Sequence, residues 1–453
     1  MNRRPAILFR ADAGHRIGFG HVARLAALIE ELAALGPHGA DPIVMFDGDP
    51  ELASWLANYG IIANAGQVGR RLARPAAAPP LRLPVNENAI TSATRRPPSV
   101  PIQIVADPDD TIENPPDERT VESPPVRGAA TPSEEWVTHA TLRPWTTEEA
   151  IAVAVDSDEW VPHATLRPWT TEDVVEAAIA GNVRAVVIDG PALAEQLVPA
   201  LDARGVRTVV LDDRGDCELP IDLVINHNHH APALAAGYPR ARRLLLGRKY
   251  LMLRRTIRRL GRGACITRRD ARLASGVVTG DRLRVVVSFG GSDPVGATQR
   301  TLRLLPHDRP LHVIAIAGPG FREGEALYTA GLAAQAAGHT VEIIEAPDEP
   351  GAQFVTADAA ICSAGGTLGE LAYLGCPAFA CAIVPDQIAG ARIQAYEGLI
   401  AGGGVWAELS DDRLRAELHA FLTNDPRRDE LARRALATTD AEGPRRILTD
   451  LLG

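Results

Sequence analysis

Short apolar runs that stop at a turn residue and pass into helical sequence recur along this 453-residue chain, and no other feature constrains its fold as much. PAILFRA, DPIVMFDG, AVVIDG, VRTVVLDD and IDLVINHN form one series. RLRVVVSFGGSDP, LHVIAIAG, TVEIIEAP, DAAICSAGG and PAFACAIVP form a second. Runs this short, rich in Val, Ile and Ala and lacking polar alternation, read as strands covered on both faces, which calls for parallel sheets with helices above and below. VARLAALIEELAALG and PALAEQLVPALDARG have the apolar spacing of the connecting helices, each stopping at a glycine. The expected fold is α/β, with two Rossmann-like domains around a cleft.

The rhythm breaks once. Between Arg71 and Trp145 lie 14 of the 35 prolines, four times as adjacent pairs, among many Asp, Glu, Thr and Ser residues. Proline fixes φ and removes a donor, so the stretch resists helix and sheet alike and reads as a poorly ordered insertion. At its far end EWVTHATLRPWTTEEAIAVAVDSD, from Glu135, is repeated from Glu159 as EWVPHATLRPWTTEDVVEAAIAGN. Two copies do not make a solenoid. The second copy runs into a strand and is assigned to the folded domain, and His139, His163 and the repeat's tryptophans are read as packing or surface residues. The expected organisation is residues 1–70 with 159–245 as the first domain, 71–158 as insertion, 246–280 as hinge and 281–453 as the second domain.

Composition removes several functions. The formal charge of −10 opposes a phosphate-tracking surface for a nucleic-acid polymer. Lys249 is the only lysine and no GxxxxGK[ST] occurs, which excludes a Walker-type ATPase. The five cysteines form no CxxC pair, as expected of reduced thiols in the cytoplasm, and no apolar run reaches the length of a membrane span. No GxSxG elbow is present, and the first glycine loop lacks GxGxxG spacing, with Asp47 the only candidate acid for a dinucleotide site.

Three glycine-rich loops each follow a strand and precede a helix: Gly14 to His21, Gly290 to Asp293, and Ser363 to Thr367. Such a loop at the carboxyl end of a parallel strand turns amides and a helix N-terminus toward an anion, and a diphosphate suits it. His21 stands where its loop gives way to helix, and a neutral imidazole there is able to take a proton from water. The same position also suits a helix cap or a buried polar anchor. Glu370, early in the helix after SAGG, is placed to accept bonds from vicinal ribose hydroxyls or simply to match the helix dipole.

RADAGHRIGFGHVARLAAL resembles the opening signature of the UDP-sugar hydrolases of pseudaminic acid biosynthesis, the PseG type, a family that also takes in spore-coat polysaccharide proteins of the SpsG type. DLVINHN with RLLLGRKYLMLR, VVVSFGGSDP, and ICSAGGTLGELAYLGCPAFACAIVPDQ resemble its later blocks in the same order, so the likeness covers residues 5–62 and 183–400. It implies a glycosyltransferase-B type fold related to MurG-like transferases, with UDP held chiefly by the second half. The implied reaction is hydrolysis of UDP-2,4-diacetamido-2,4,6-trideoxy-β-L-altropyranose to UDP and free sugar, without metal or other cofactor. By the same resemblance His21 is the catalytic residue that acts on the attacking water. The implied substrate and UDP contacts are Arg10, Asp12, Gly18 and Gly20 in the first block and Asn228 after the fifth strand. Gly290 and Gly291 supply the middle block, and Ser363, Gly365, Gly366, Thr367, Glu370 and Gln387 the last.

Two positions depart from the family pattern. Asp189 is followed by Gly190 and Pro191 where a histidine or aromatic residue is usual, and Asp386-Gln387 stands where asparagine-glutamine is common. A MurG-like glycosyltransferase and a catalytically silent nucleotide-sugar binding protein are the alternatives. A metal on Asn226, His227, Asn228, His229 and His230 lacks a carboxylate or thiolate at recognisable spacing. The insertion is a candidate for binding a protein partner.

Overall fold

The computed structural model describes residues 5–12, 20–35, 39–47, 52, 56, 61–64, 81–82, 163–166, 168–274, 282–347 and 349–453. The first half runs β1 (Ala6–Asp12), α1 (Gly20–Ala34), β2 (Asp41–Asp47), β3 (Ile62–Asn64), β4 (Leu81–Arg82), β5 (His163–Leu166), α2 (Thr171–Ala180), β6 (Val183–Asp189), α3 (Pro191–Asp202), β7 (Thr208–Leu211), β8 (Leu223–Asn226) and β9 (Leu244–Leu246). After it come α4 (Arg255–Leu260), α5 (Ala264–Ala274), β10 (Leu283–Ser288), α6 (Ala297–Leu304), β11 (Leu311–Ala317), α7 (Gly324–Ala336), β12 (Thr340–Glu345), the short α8 (Gly351–Phe354), β13 (Ala359–Ser363), α9 (Gly366–Leu374), β14 (Ala378–Ala382), α10 (Ile388–Tyr396) and β15 (Ala401–Val405). Three helices finish the chain: α11 (Asp411–Thr423), α12 (Asp425–Ala437) and α13 (Gly443–Leu452).

Two sheets result. The first has strand order β3-β5-β2-β1-β6-β7-β8-β9 and is parallel throughout. The second has order β15-β14-β13-β10-β11-β12-β4, parallel except where β4 runs antiparallel to β12. Both faces of each are covered, as the unalternating strands require. In β1, Phe9 and Ala11 meet α1 while Ala6 and Leu8 meet the α2 and α3 side. Phe9, Leu25, Leu28 and Phe46 are fully buried, each worth about 1.5–3 kcal/mol of transfer free energy.

The second repeat copy supplies β5 and α2, whose start is fixed by a capping box between Thr170 and Asp173. Trp169 packs beside that helix. The first copy, the 13–19 loop and nearly all of the insertion lie outside the described residues, so the expected disorder does too. Leu81 and Arg82 are the exception: they extend the second sheet, although the insertion interrupts the first domain. The AGGGV segment, too poor in side chains to read as an apolar run, forms edge strand β15.

The chain crosses between the two cores twice. Met252 packs with the first core, while Leu251, Leu253, Ile257 and Cys265 pack with the second, so most of the expected hinge belongs to the second domain's core. At the return crossing α13 leaves the second domain, contrary to the 281–453 boundary. Its apolar residues Ile447, Leu448 and Leu451 find the first core, and Arg243 holds Asp450 at 2.7 Å. The crossings touch: a Cβ on Gly443 would stand 2.1 Å from the Leu251 carbonyl oxygen.

Candidate functional site

Each sheet reverses its strand order once along the chain, between β1 and β6 in the first and between β10 and β13 in the second. Loops on either side of such a point part company and leave a crevice at the carboxyl ends of the strands. Some of the residues singled out above lie at these two places.

At the first, His21 and Arg24 are three residues apart on α1 and so share a face. Asp189 closes β6, after which Gly190, at φ +122°, turns the chain and Pro191 opens α3. The departure at Asp189-Gly190-Pro191 is therefore a strand-end carboxylate on a glycine pivot. Asp189 Oδ1 lies 2.6 Å from His21 Nδ1, and Arg24 Nε donates to Asp189 Oδ2 at 2.5 Å. Arg24 Nη1 reaches both oxygens of Asp213, at 2.8 and 2.7 Å, and Asn228 Nδ2 donates to Asp213 Oδ1 at 2.7 Å. The His21 side chain retains 25% of its exposure and Asp213 24%, against 0% for Asp189 and 11% for Arg24, so the imidazole and the outer acid meet solvent while the contact between Asp189 and Arg24 is covered.

Charge decides the tautomer. Burial alone would raise the Asp189 carboxyl, but Arg24 and His21 outweigh it and hold it below the ordinary carboxylate range. An ionised carboxylate only accepts, so the close contact requires the proton on Nδ1 and leaves Nε2 as the titrating atom. Asp189 in turn raises the His21 pKa above 6.5, against burial and Arg24. Asp213 is likewise lowered, its burial overcome first by Arg24. Next to them His227 is pushed down to about 4, by burial and then by Arg24, and is neutral.

At the second reversal, Gly290 at φ +84° follows β10 and its neighbour Phe289, while Ser363 ends β13. A Cβ on Gly290 would lie 4.0 Å from Ser363 Oγ, and one on Gly365 would lie 3.8 Å from that hydroxyl and 3.2 Å from Gln387 Nε2. The Gln387 side-chain oxygen accepts from the Ile383 amide at 3.1 Å, which turns its NH₂ toward Gly365. No described side chain caps α9, and Gly366 at its first position is exposed, with Gly365 and Thr367 half-buried. A hydroxyl, an amide and an uncapped helix N-terminus thus converge, as anion recognition requires. The Gly290–Asp293 loop differs from expectation on one point. Asp293 accepts from the Ala297 and Thr298 amides at 2.8 Å each, so the N-terminus of α6 already has its anion. Gly291 is held against the next loop, its carbonyl accepting from Gly320 at 2.8 Å.

The other singled-out residues are dispersed. Arg10 is buried, bonded to the Ala11 carbonyl at 2.5 Å and ion-paired with Asp12. Gly20 is exposed at the start of α1, and Gly18 lies outside the described residues. Glu370, 8% exposed, takes Arg254 Nε at 2.6 Å and Nη2 at 2.5 Å, one on each oxygen. Asp386 is exposed. In the INHNHH run, His229 Nε2 pairs with Glu397 Oε2 at 2.5 Å and His230 Nδ1 lies 3.2 Å from the Cβ position of Gly390, so this turn meets α10 of the other domain. Arg24, Asp189 and Asp213 are the members that sequence reasoning missed. The helical spacing of Arg24 from His21 and the acids ending two strands were the signals available.

Among the described residues no helix is long and apolar enough to cross a membrane. No protein-family model matches the chain, and no curated protein matches it. Solved structures match along its length. MurG of Acinetobacter baumannii is 14% identical over 99% of each chain, with a TM-score of 0.54. The UDP-GlcNAc 2-epimerase of Neisseria meningitidis, solved with UDP-GlcNAc bound, is 8% identical over 99% of each, with a TM-score of 0.53. MnaA of S. aureus, solved with UDP, is 9% identical over 98% of this chain and 95% of its own, with a TM-score of 0.52. At these identities the likeness is one of fold. The chain has two parallel-sheet α/β domains of the glycosyltransferase-B type.

Proposed function

We propose that the chain hydrolyses a UDP-linked deoxy amino sugar, UDP-2,4-diacetamido-2,4,6-trideoxy-β-L-altropyranose or a close analogue, to UDP and the free sugar. The 2.6 Å contact between His21 and Asp189 carries the reading, because a proton held on Nδ1 by the acid leaves Nε2 of a partly exposed imidazole to act as a base. UDP and UDP-GlcNAc bound to solved structures of the same fold support the nucleotide class.

In this reading Nε2 of His21 removes a proton from water as the water oxygen attacks the anomeric carbon. The bond from that carbon to the phosphate oxygen breaks, and its electron pair leaves on the β-phosphate of UDP. Charge gathering there is met by the Ser363 hydroxyl, the Gln387 amide and the uncapped amides of α9. Glu370, oriented by Arg254, has lone pairs left for the ribose hydroxyls. Attack opposite the leaving group inverts the anomeric centre. No metal or other cofactor enters the scheme, and it takes the chain to act in the cytoplasm, in nonulosonic acid or surface polysaccharide synthesis.

The test is a panel of UDP-linked amino sugars with products identified by mass spectrometry. Free UDP with free sugar from the wild type, lost in His21→Ala, is the expected result. Transfer of the sugar to an added acceptor with little hydrolysis would make the chain a glycosyltransferase, and binding of UDP without any product would make it a silent binding protein. Unchanged turnover in His21→Ala would remove the histidine from its role.

A further inference from the structure

We propose that Arg24 is a positioning residue for this base: by gripping Asp189 and Asp213 at once, it keeps the imidazole proton of His21 on Nδ1 and Nε2 available for chemistry. The inference rests on His21 being the base, and concerns what makes it one. β6 and the turn after β7 bring two carboxylates, buried Asp189 and partly exposed Asp213, to one imidazole. Unneutralised, they would repel each other and bind the imidazole proton too tightly to release it.

The Arg24 guanidinium is forked and each side has its own acid. Nε and Nη2 face Asp189, and Nη1 takes both oxygens of Asp213. Nη2 also stands 3.1 Å from His21 Nδ1, so the two donors lie side by side and share Asp189 Oδ1 as acceptor. A lysine would supply the charge without the fork. Among the described residues, the charged groups that act on the imidazole are Asp189 from β6, Arg24 from α1 and Asp213 after β7, and neutral His227 after β8 feels Arg24 and both acids. Both carboxylates favour the imidazolium, and Arg24 is the opposing charge. Asn228, which donates to Asp213, fixes the outer acid in the same grip.

The experiment follows the His21 ring resonances of the full-length protein by NMR against pH, without substrate, alongside the pH profile of kcat/KM for UDP release. In Arg24→Gln the His21 midpoint is expected to rise by about one unit or more, carrying the acid limb of the profile with it. In Arg24→Gln/Asp213→Asn, which removes one charge of each sign, it is expected to return to near the wild-type value. Arg24→Lys is expected to keep the midpoint but lower kcat with KM unchanged. An unmoved midpoint in Arg24→Gln, or one that stays raised in the double variant, would overturn the proposal. If Arg24→Gln does not fold, Arg24→Lys decides it: wild-type kcat at a wild-type midpoint would show that the fork does nothing for the base. Midpoints that move as stated in a protein that turns over no UDP-sugar would keep the grip on His21 and refute the hydrolysis reading instead.

Discussion

His21 Nδ1 and Asp189 Oδ1 lie 2.6 Å apart and join the first turn of α1 to the last residue of β6, across the point where the first sheet reverses its strand order. The acid ends a strand buried on both faces and has no freedom to follow the ring. It acts as a fixed acceptor. In Asp189→Asn the acceptor gains a donor face, and the amide is able to present N–H to Nδ1 and move the ring proton to Nε2. A fall in kcat of about 10²-fold or more, with KM little changed, is the expected outcome in steady-state UDP release.

The pH dependence of activity follows from the same contact. Asp189 holds the His21 pKa above 6.5, with burial and Arg24 pulling the other way. Water activation needs Nε2 unprotonated, so kcat/KM should climb with pH through a midpoint above 6.5 and level off beyond it. A rising limb centred below 6 would show that a different group is titrating.

Stability should follow with opposite signs for the two partners. A histidine whose folded pKa is raised contributes stability that is complete below the unfolded value of about 6.5 and is lost as pH rises through the folded value. Asp189, whose folded pKa is lowered, contributes stability above about 3.8 that is lost as pH falls through its own folded value. In urea unfolding, the gap between wild type and His21→Gln should be widest below about pH 6.5 and should narrow toward pH 9.

Glu370 receives both of its described hydrogen bonds from Arg254, in the segment that joins the two domains. On the proposed role of Glu370, nucleotide binding and the crossing would be connected through one side chain. Arg254→Ala leaves a nearly buried carboxylate without that guanidinium and free to turn. A loss of about tenfold in UDP affinity by calorimetry is expected, with a similar loss in Glu370→Gln. Unchanged UDP affinity in both variants would take Glu370 out of the nucleotide site.

The strands were legible because burial on both faces writes a continuous apolar run, as in VVIDG and AAICS, and the places to look for a site were marked where glycine opens a loop after such a run. What remained hidden was relational. That Asp189 pairs with a histidine 168 positions earlier depends on β1 and β6 being neighbours, which no local pattern states. Arg24 was visible three residues from His21 but had no meaning until the end of β6 and the turn after β7 supplied its acids. Asp293 looked like part of an anion loop and is itself the anion, because its side chain folds back onto the first turn of α6. β15 was lost for the reason that hides any glycine-rich edge strand: AGGGV has almost no side chains with which to show a period.

The final helix offers a test of the fold that does not involve the site. Gly443 begins α13, and its Cα faces the backbone of the first crossing, with a built Cβ at 2.1 Å from the Leu251 carbonyl oxygen and 2.7 Å from its carbon. Neither neighbour is a flexible side-chain end, so a methyl group there must push one crossing off the other. α13 carries Ile447, Leu448 and Leu451 into the first core, and movement at its start would strain that packing. Gly443→Ala is therefore expected to destabilise the chain by about 1–3 kcal/mol in urea unfolding, the range typical of overpacking. Gly205→Ala makes the comparison, since a Cβ there meets nothing within 4 Å although φ is +67°, leaving backbone strain alone. A loss in Gly443→Ala no greater than in Gly205→Ala would mean that the two crossings do not press together.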